Sequence, residues 1–179
     1  RAFESLPLFA NRATLEGVYM QSSPSAPAIF YIQSEISKER SCPFPTFSCS
    51  KTDIDSAINH LKMFNVNHII AVSDVVKKEL RNKTKLVFKE KEYEIFEIEP
   101  TGYVSVPEYR PVLMQSKNPD LLSYYWFVND YEVPVVITDK IKAKDKKYFD
   151  ITSNVDNLPK KRINKKCDIH SQIKEEEIN

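Results

Sequence analysis

The sequence predicts an α/β domain: a mixed sheet of about five strands with packed helices and proline-rich loops, with α+β as the neighbouring class. Three observations predict it. Apolar residues switch between helical and strand spacing in alternating order across 53–138. Eleven prolines against two glycines describe stiff loops. A chain of 179 residues, 41% hydrophobic and 28% charged, is an ordinary globular composition. At that length roughly 70% of the unfolded surface can be buried, so a core needs neither metal nor disulfide.

The elements follow in order. Residues 1–23 read as an ordered polar-aromatic loop, with one helical turn over Thr14–Met20. Ser25–Lys38 carries Ile29, Ile32 and Ile36 at helical spacing and predicts a helix. Thr52–Phe64 is the clearest helix. Ile54, Ile58, Leu61 and Phe64 form its stripe, Thr52 and Asp55 resemble a capping box, and Asn65–Asn67 ends it. His68–Val72 is a short β-rich apolar run and reads as a buried strand. Ser73 is placed to cap a helix over Asp74–Arg81. Leu86–Lys89 and Tyr93–Glu99 read as a hairpin turning near Glu90–Glu92. Tyr103–Val106 and Tyr109–Met114 are interrupted by Pro107 and Pro111, which predicts edge strands. Asn118–Tyr131 reads as a helix with Asn118 as cap and Pro119 at its first position, and Val133–Thr138 as a strand. One domain is expected over 1–138, with a loop region over 1–50. Residues 139–179 read as a basic, weakly ordered tail or the start of a further β module.

Composition excludes several function classes. A net charge of +1 supplies no global attraction to nucleic acid, so no nucleic-acid partner is expected. Gly17 and Gly102 cannot build a GxGxxG or P-loop phosphate cradle. No apolar run approaches the ~20 residues that span a bilayer, and no signal-peptide pattern is visible. The polar-aromatic opening at Arg1 reads as part of something larger.

Cys42 and Cys49 bracket CPFPTFSC, a loop stiffened by Pro43 and Pro45. A disulfide here would stabilise by about 2–3 kcal/mol in the chain-entropy model and would imply an oxidising, extracytoplasmic compartment. The alternative is two thiols; a zinc site lacks ligands at suitable spacing. Cys167 reads as a lone thiol, or as paired outside this stretch.

FESLPLFANRATLEGVYMQSS, followed by AIFYIQSEIS and CPFP, resembles the extracytoplasmic part of a family of large prokaryotic, largely archaeal membrane proteins. These are the 6-pyruvoyl-tetrahydropterin-synthase-related membrane proteins, which in turn resemble multi-spanning GT-C glycosyltransferases using polyprenyl-phosphate-linked sugars. HLKMFNVNHIIAVSDVVKKEL, continuing to LVFKEKEYEIFEIE, is similar to the module that follows the membrane helices in many GT-C-like proteins. The pterin-synthase comparison itself fails on chemistry. That enzyme needs a three-histidine zinc site and a cysteine nucleophile, and His60, His68 and His170 have neither the spacing nor the company.

The resemblance covers about residues 1–138. It implies an extracytoplasmic domain at the outer face of the cell membrane, partnered by the transmembrane module of the same parent chain. That domain would help form an acceptor or lipid-linked-sugar site. No cofactor is evident; a divalent metal is a candidate for the parent. The alternative function is a non-catalytic glycan- or protein-binding module of the cell envelope.

Glu4, Arg12, Glu16 and Gln21 are the candidate substrate-binding residues. The planar guanidinium of Arg12 suits a lipid-linked phosphate, and Glu4 or Glu16 suits sugar hydroxyls or a divalent metal. The plainer reading pairs Arg12 with Glu16 to fix a loop. His60 and His68 read as a metal pair or, more simply, as one exposed and one satisfied histidine. The run Tyr124, Tyr125, Trp126 and Phe127 offers a sugar-stacking platform or core packing, since at most two of the four share a helix face. Asn82-Lys83-Thr84 is a glycosylation sequon. The lysines from Lys140 to Lys166 read as a solvated segment or as a contact for phosphate headgroups. No catalytic residue is assigned.

Overall fold

The computed structural model describes residues 7, 10–15, 23–37, 47, 49–102, 104, 111–129, 134–142 and 149–152. The fold is mixed α and β. The chain divides into two compact units, Arg1–Ser105 and Val106–Asn179.

The first unit contains α1 (Ala26–Ile36), α2 (Ile54–Met63), β1 (His68–Ala71), α3 (Asp74–Lys83), β2 (Lys85–Glu90) and β3 (Tyr93–Glu97). Helix α1 starts at Ser25 with a proline in its first turn, where a missing N–H costs nothing. It buries Ile29, Phe30 and Ile32 and packs on α2. Helix α2 is capped by Asp53, whose carboxylate accepts from the N–H groups of Asp55 (3.1 Å) and Ser56 (3.2 Å). The expected cap at Thr52 is therefore corrected by one residue. Thr52 instead donates its hydroxyl to the Ser37 carbonyl at 3.2 Å, tying α2 back to the end of α1.

Asn65, at φ 53°, closes α2. Its N–H reaches the Lys62 carbonyl, and that of Val66 reaches the Leu61 carbonyl. That pair is a Schellman closure, which asks for a residue tolerant of the left-handed region.

The sheet of this unit is antiparallel in the order β1-β3-β2. Alternation along β3 puts Glu94 and Phe96 on the face that α3 covers, and Ile98 just beyond the strand is buried with them. Val76 and Leu80 of α3 are buried; Leu80 and Phe96 are fully enclosed. The hairpin turns at Lys91 and Glu92, with Lys91 at φ 50°. Ser73 occupies the cap position of α3 but its side chain makes no capping bond.

The second unit holds β4 (Val112–Gln115), α4 (Pro119–Val128), β5 (Val135–Thr138) and β6 (Asp150–Thr152). Its sheet is parallel, in the order β5-β4-β6. Two small sheets thus replace the single mixed sheet of about five strands. The second correction concerns Tyr109–Met114, expected at an edge. The strand begins after Pro111, at Val112, so the proline costs it no ladder bond, and β4 takes the central place. Val112, Leu113 and Met114 are all buried, the continuous apolar run a central parallel strand needs. Asn118 caps α4 as expected, accepting from the Leu121 N–H at 3.3 Å. Val112, Met114 and Leu122 form the core of this unit, with Trp126, Val135 and Ile137 packed against it.

Candidate functional site

Of the four substrate-binding candidates, only Arg12 lies within the described residues, and it is exposed. It follows Asn11, whose φ of 49° turns the chain immediately before it. Glu4, Glu16 and Gln21 lie outside the described residues, as do Cys42 and Cys167. Cys49 takes part in a disulfide.

Sequence reasoning missed a deeply buried polar cluster. Glu35, on the last turn of α1, meets His60 on α2. Nδ1 of His60 lies 2.9 Å from Oε2 and 3.1 Å from Oε1 of Glu35, and both side chains are almost wholly enclosed. The Tyr31 ring meets the imidazole edge-on, with centroids 5.9 Å apart. Beside them Ser34, also buried, donates to the Tyr31 carbonyl (2.7 Å) and accepts from the Ser50 N–H (2.9 Å). The Asp53 N–H reaches the Glu35 carbonyl at 2.8 Å. Segment 50–53, just after Cys49, is thereby fastened to α1, and the Glu35–His60 contact fastens α1 to α2. A signal was present: Ile54, Ala57 and Leu61 are buried on α2, and His60 sits on that same stripe.

A second cluster surrounds Glu94 on the covered face of β3. Arg81 of α3 holds it through two hydrogen bonds: Nε to Oε2 at 2.9 Å, and Nη2 to Oε1. Lys89 of the neighbouring strand approaches at 3.4 Å. The hydrogen bond from Arg81 holds the Glu94 carboxyl below its ordinary pKa, against a smaller opposing effect of burial. It raises the guanidinium in turn. This fork is a clamp between helix and sheet.

His68 is exposed, its Nδ1 2.8 Å from Asn67 Oδ1. His60 and His68 therefore have separate partners. Among the described residues no group of three or more His, Cys, Asp or Glu is placed to hold a metal ion. In the aromatic run, Tyr124 and Phe127 are buried, Trp126 is half-buried against the core, and Tyr125 is 47% exposed. Most of the run packs rather than forming a platform.

Strand β2 lies at a sheet edge and is exposed along its whole length, including Leu86, Val87 and Phe88. Lys85, Lys89 and an irregularity in pairing between Leu86 and Phe88 blunt that edge. Among the described residues no helix is long and apolar enough to cross a membrane.

A family described as a domain of unknown function (DUF8559) matches residues 1–114. The chain belongs to this family. The match spans the whole first unit and runs into β4. No curated protein and no solved structure matches the chain.

Proposed function

We propose that this DUF8559 chain is an extracytoplasmic part of an integral membrane protein resembling GT-C glycosyltransferases. It would shape an acceptor or lipid-linked-sugar site over a transmembrane module of the same parent. The observation that carries the placement is the disulfide at Cys49, because such bonds persist in oxidising compartments. Cys42 is its proposed partner, closing the proline-stiffened loop before α2. The division of labour rests on the buried ionisable groups of the first unit. Glu35, His60 and Glu94 are committed to fastening helices and sheet together, which suits a scaffold for a neighbouring site.

Within this reading Arg12 is the residue that meets the lipid-linked phosphate. It is exposed on a turned segment, and its fork matches phosphate geometry. Glu4, Glu16 and Gln21 would serve the sugar, and a divalent metal would belong to the parent's membrane site. Deleting the domain from the parent should abolish transfer while the membrane helices still insert; full transfer without it refutes the proposal.

The exposed apolar side chains of Leu86, Val87 and Phe88 on β2 favour a second reading, a non-catalytic module that binds a glycan or protein of the cell envelope. Substituting Arg12 separates the two. Lost transfer with an intact fold supports the first; lost partner binding with intact transfer supports the second.

A further inference from the structure

The sequon Asn82-Lys83-Thr84 falls at the last turn of α3, and the fold decides which of its side chains are accessible. Val76, Lys77 and Leu80 face the interior of the unit. Asn82 lies on the opposite side of the helix and is exposed. Its neighbours are already engaged. Arg81 holds Glu94, Lys83 pairs with Asp55 of α2, and the Thr84 hydroxyl donates to the Leu80 carbonyl at 2.7 Å. The Asn82 amide, by contrast, makes no hydrogen bond among the described residues. A group attached to its Nδ2 would project into solvent without displacing any contact of α3.

We propose that Asn82 is an N-glycosylation site. The inference rests on the extracytoplasmic placement proposed above, since the sugar donor and the transferase act on that side. The donor class is a polyprenyl-phosphate- or polyprenyl-diphosphate-linked glycan, and the catalyst is a separate oligosaccharide transferase. In the transfer, Nδ2 of Asn82 attacks the anomeric carbon. The bond from that carbon to the phosphate oxygen breaks and an N-glycosidic bond forms. The amide proton passes to the transferase base, and the polyprenyl phosphate (or diphosphate, for the diphosphate-linked donor) leaves with the bonding electron pair. No electron is gained or lost by any external partner.

Transfer takes place on the extended chain before α3 closes. The transferase needs a free threonine hydroxyl at the third position, and in the folded protein Thr84 is committed to Leu80. The folded structure then accommodates the product, because Asn82 points away from the core.

The test uses the full-length protein purified from its native host. Peptide mass spectrometry reads the Asn82 segment for a glycan mass, in the natural chain and in Asn82→Gln, Thr84→Ala and Thr84→Ser. In parallel, a membrane-impermeant amine reagent is applied to intact cells and to lysed cells, reading Lys78 and Lys91, both exposed. The expected result is a mass-shifted peptide in the natural chain and in Thr84→Ser, and loss of the shift in Asn82→Gln and Thr84→Ala. An unshifted peptide with both lysines labelled on intact cells overturns the glycosylation site and leaves the placement standing. An unshifted peptide with the lysines labelled only after lysis overturns both.

Discussion

Removing one partner of the Glu35–His60 pair should cost far more than removing both. Each group is nearly excluded from water, and the carboxylate reaches Nδ1 at 2.9 Å and 3.1 Å. In Glu35→Met, the imidazole stays buried without its carboxylate; in His60→Leu, a carboxylate stays buried without its donor. Breaking such a pair costs about 3–5 kcal/mol. The double variant leaves neither polar group behind and restores apolar contact of similar volume, so it should come within about 1.5 kcal/mol of the natural chain. Urea denaturation of the four chains closes the cycle, and the coupling should reach at least about 2 kcal/mol. Single variants that each cost under about 1 kcal/mol and simply add would refute the reasoning. His60 would then not be a structural residue, and a functional role for it would reopen.

Four further outcomes follow from the structure. Asp53→Ala should cost about 1 kcal/mol through loss of the α2 cap, measured by thermal or urea unfolding. The hydrogen bond from the Ser56 N–H lowers the Asp53 pKa. Its contribution is therefore full above the unfolded carboxyl value of about 3.9 and is lost as pH falls through the lower folded value; Asp53→Asn should flatten that acid limb. Lys91→Gly should stabilise by up to about 1 kcal/mol, because a lysine at φ 50° meets a steric cost that glycine lacks. Cys49→Ser should cost about 2–3 kcal/mol by opening the eight-residue loop that Cys42 is proposed to close, and reducing agent should lower the natural chain to the same level.

Much of the local structure was legible because local physics decides it. The helices around Ile54–Leu61 and Leu122–Phe127 show in apolar spacing, and Asn118-Pro119 announces its helix start. Asn65 marks a helix end through its tolerance of the left-handed region. The shift of the α2 cap from Thr52 to Asp53 was less visible, because both residues are competent caps and the choice depends on Thr52 meeting Ser37 from another helix. Strand partnership was not legible either. VLMQ reads as an edge of a mixed sheet and VVIT as a strand that names no neighbour, and only pairing in space makes β4 the centre of a parallel sheet. The buried clusters carried a faint signal. Glu94 alternates with Phe96 and Ile98, and His60 lies on the α2 stripe, yet a charged residue on an apolar face names no partner. Glu35 is 25 residues from His60, and Glu94 is 13 from Arg81. Of the substrate-binding candidates, Arg12 is exposed, while Glu4, Glu16 and Gln21 lie outside the described residues.

We propose that this DUF8559 chain belongs to an integral membrane protein and lies on the outer side of the membrane. Alkaline extraction of membranes containing the full-length parent tests it most directly. The parent is expected to stay in the membrane pellet at high pH, with this domain cleaved by protease added to intact cells. Release of the parent into the alkaline supernatant as a soluble protein would contradict it.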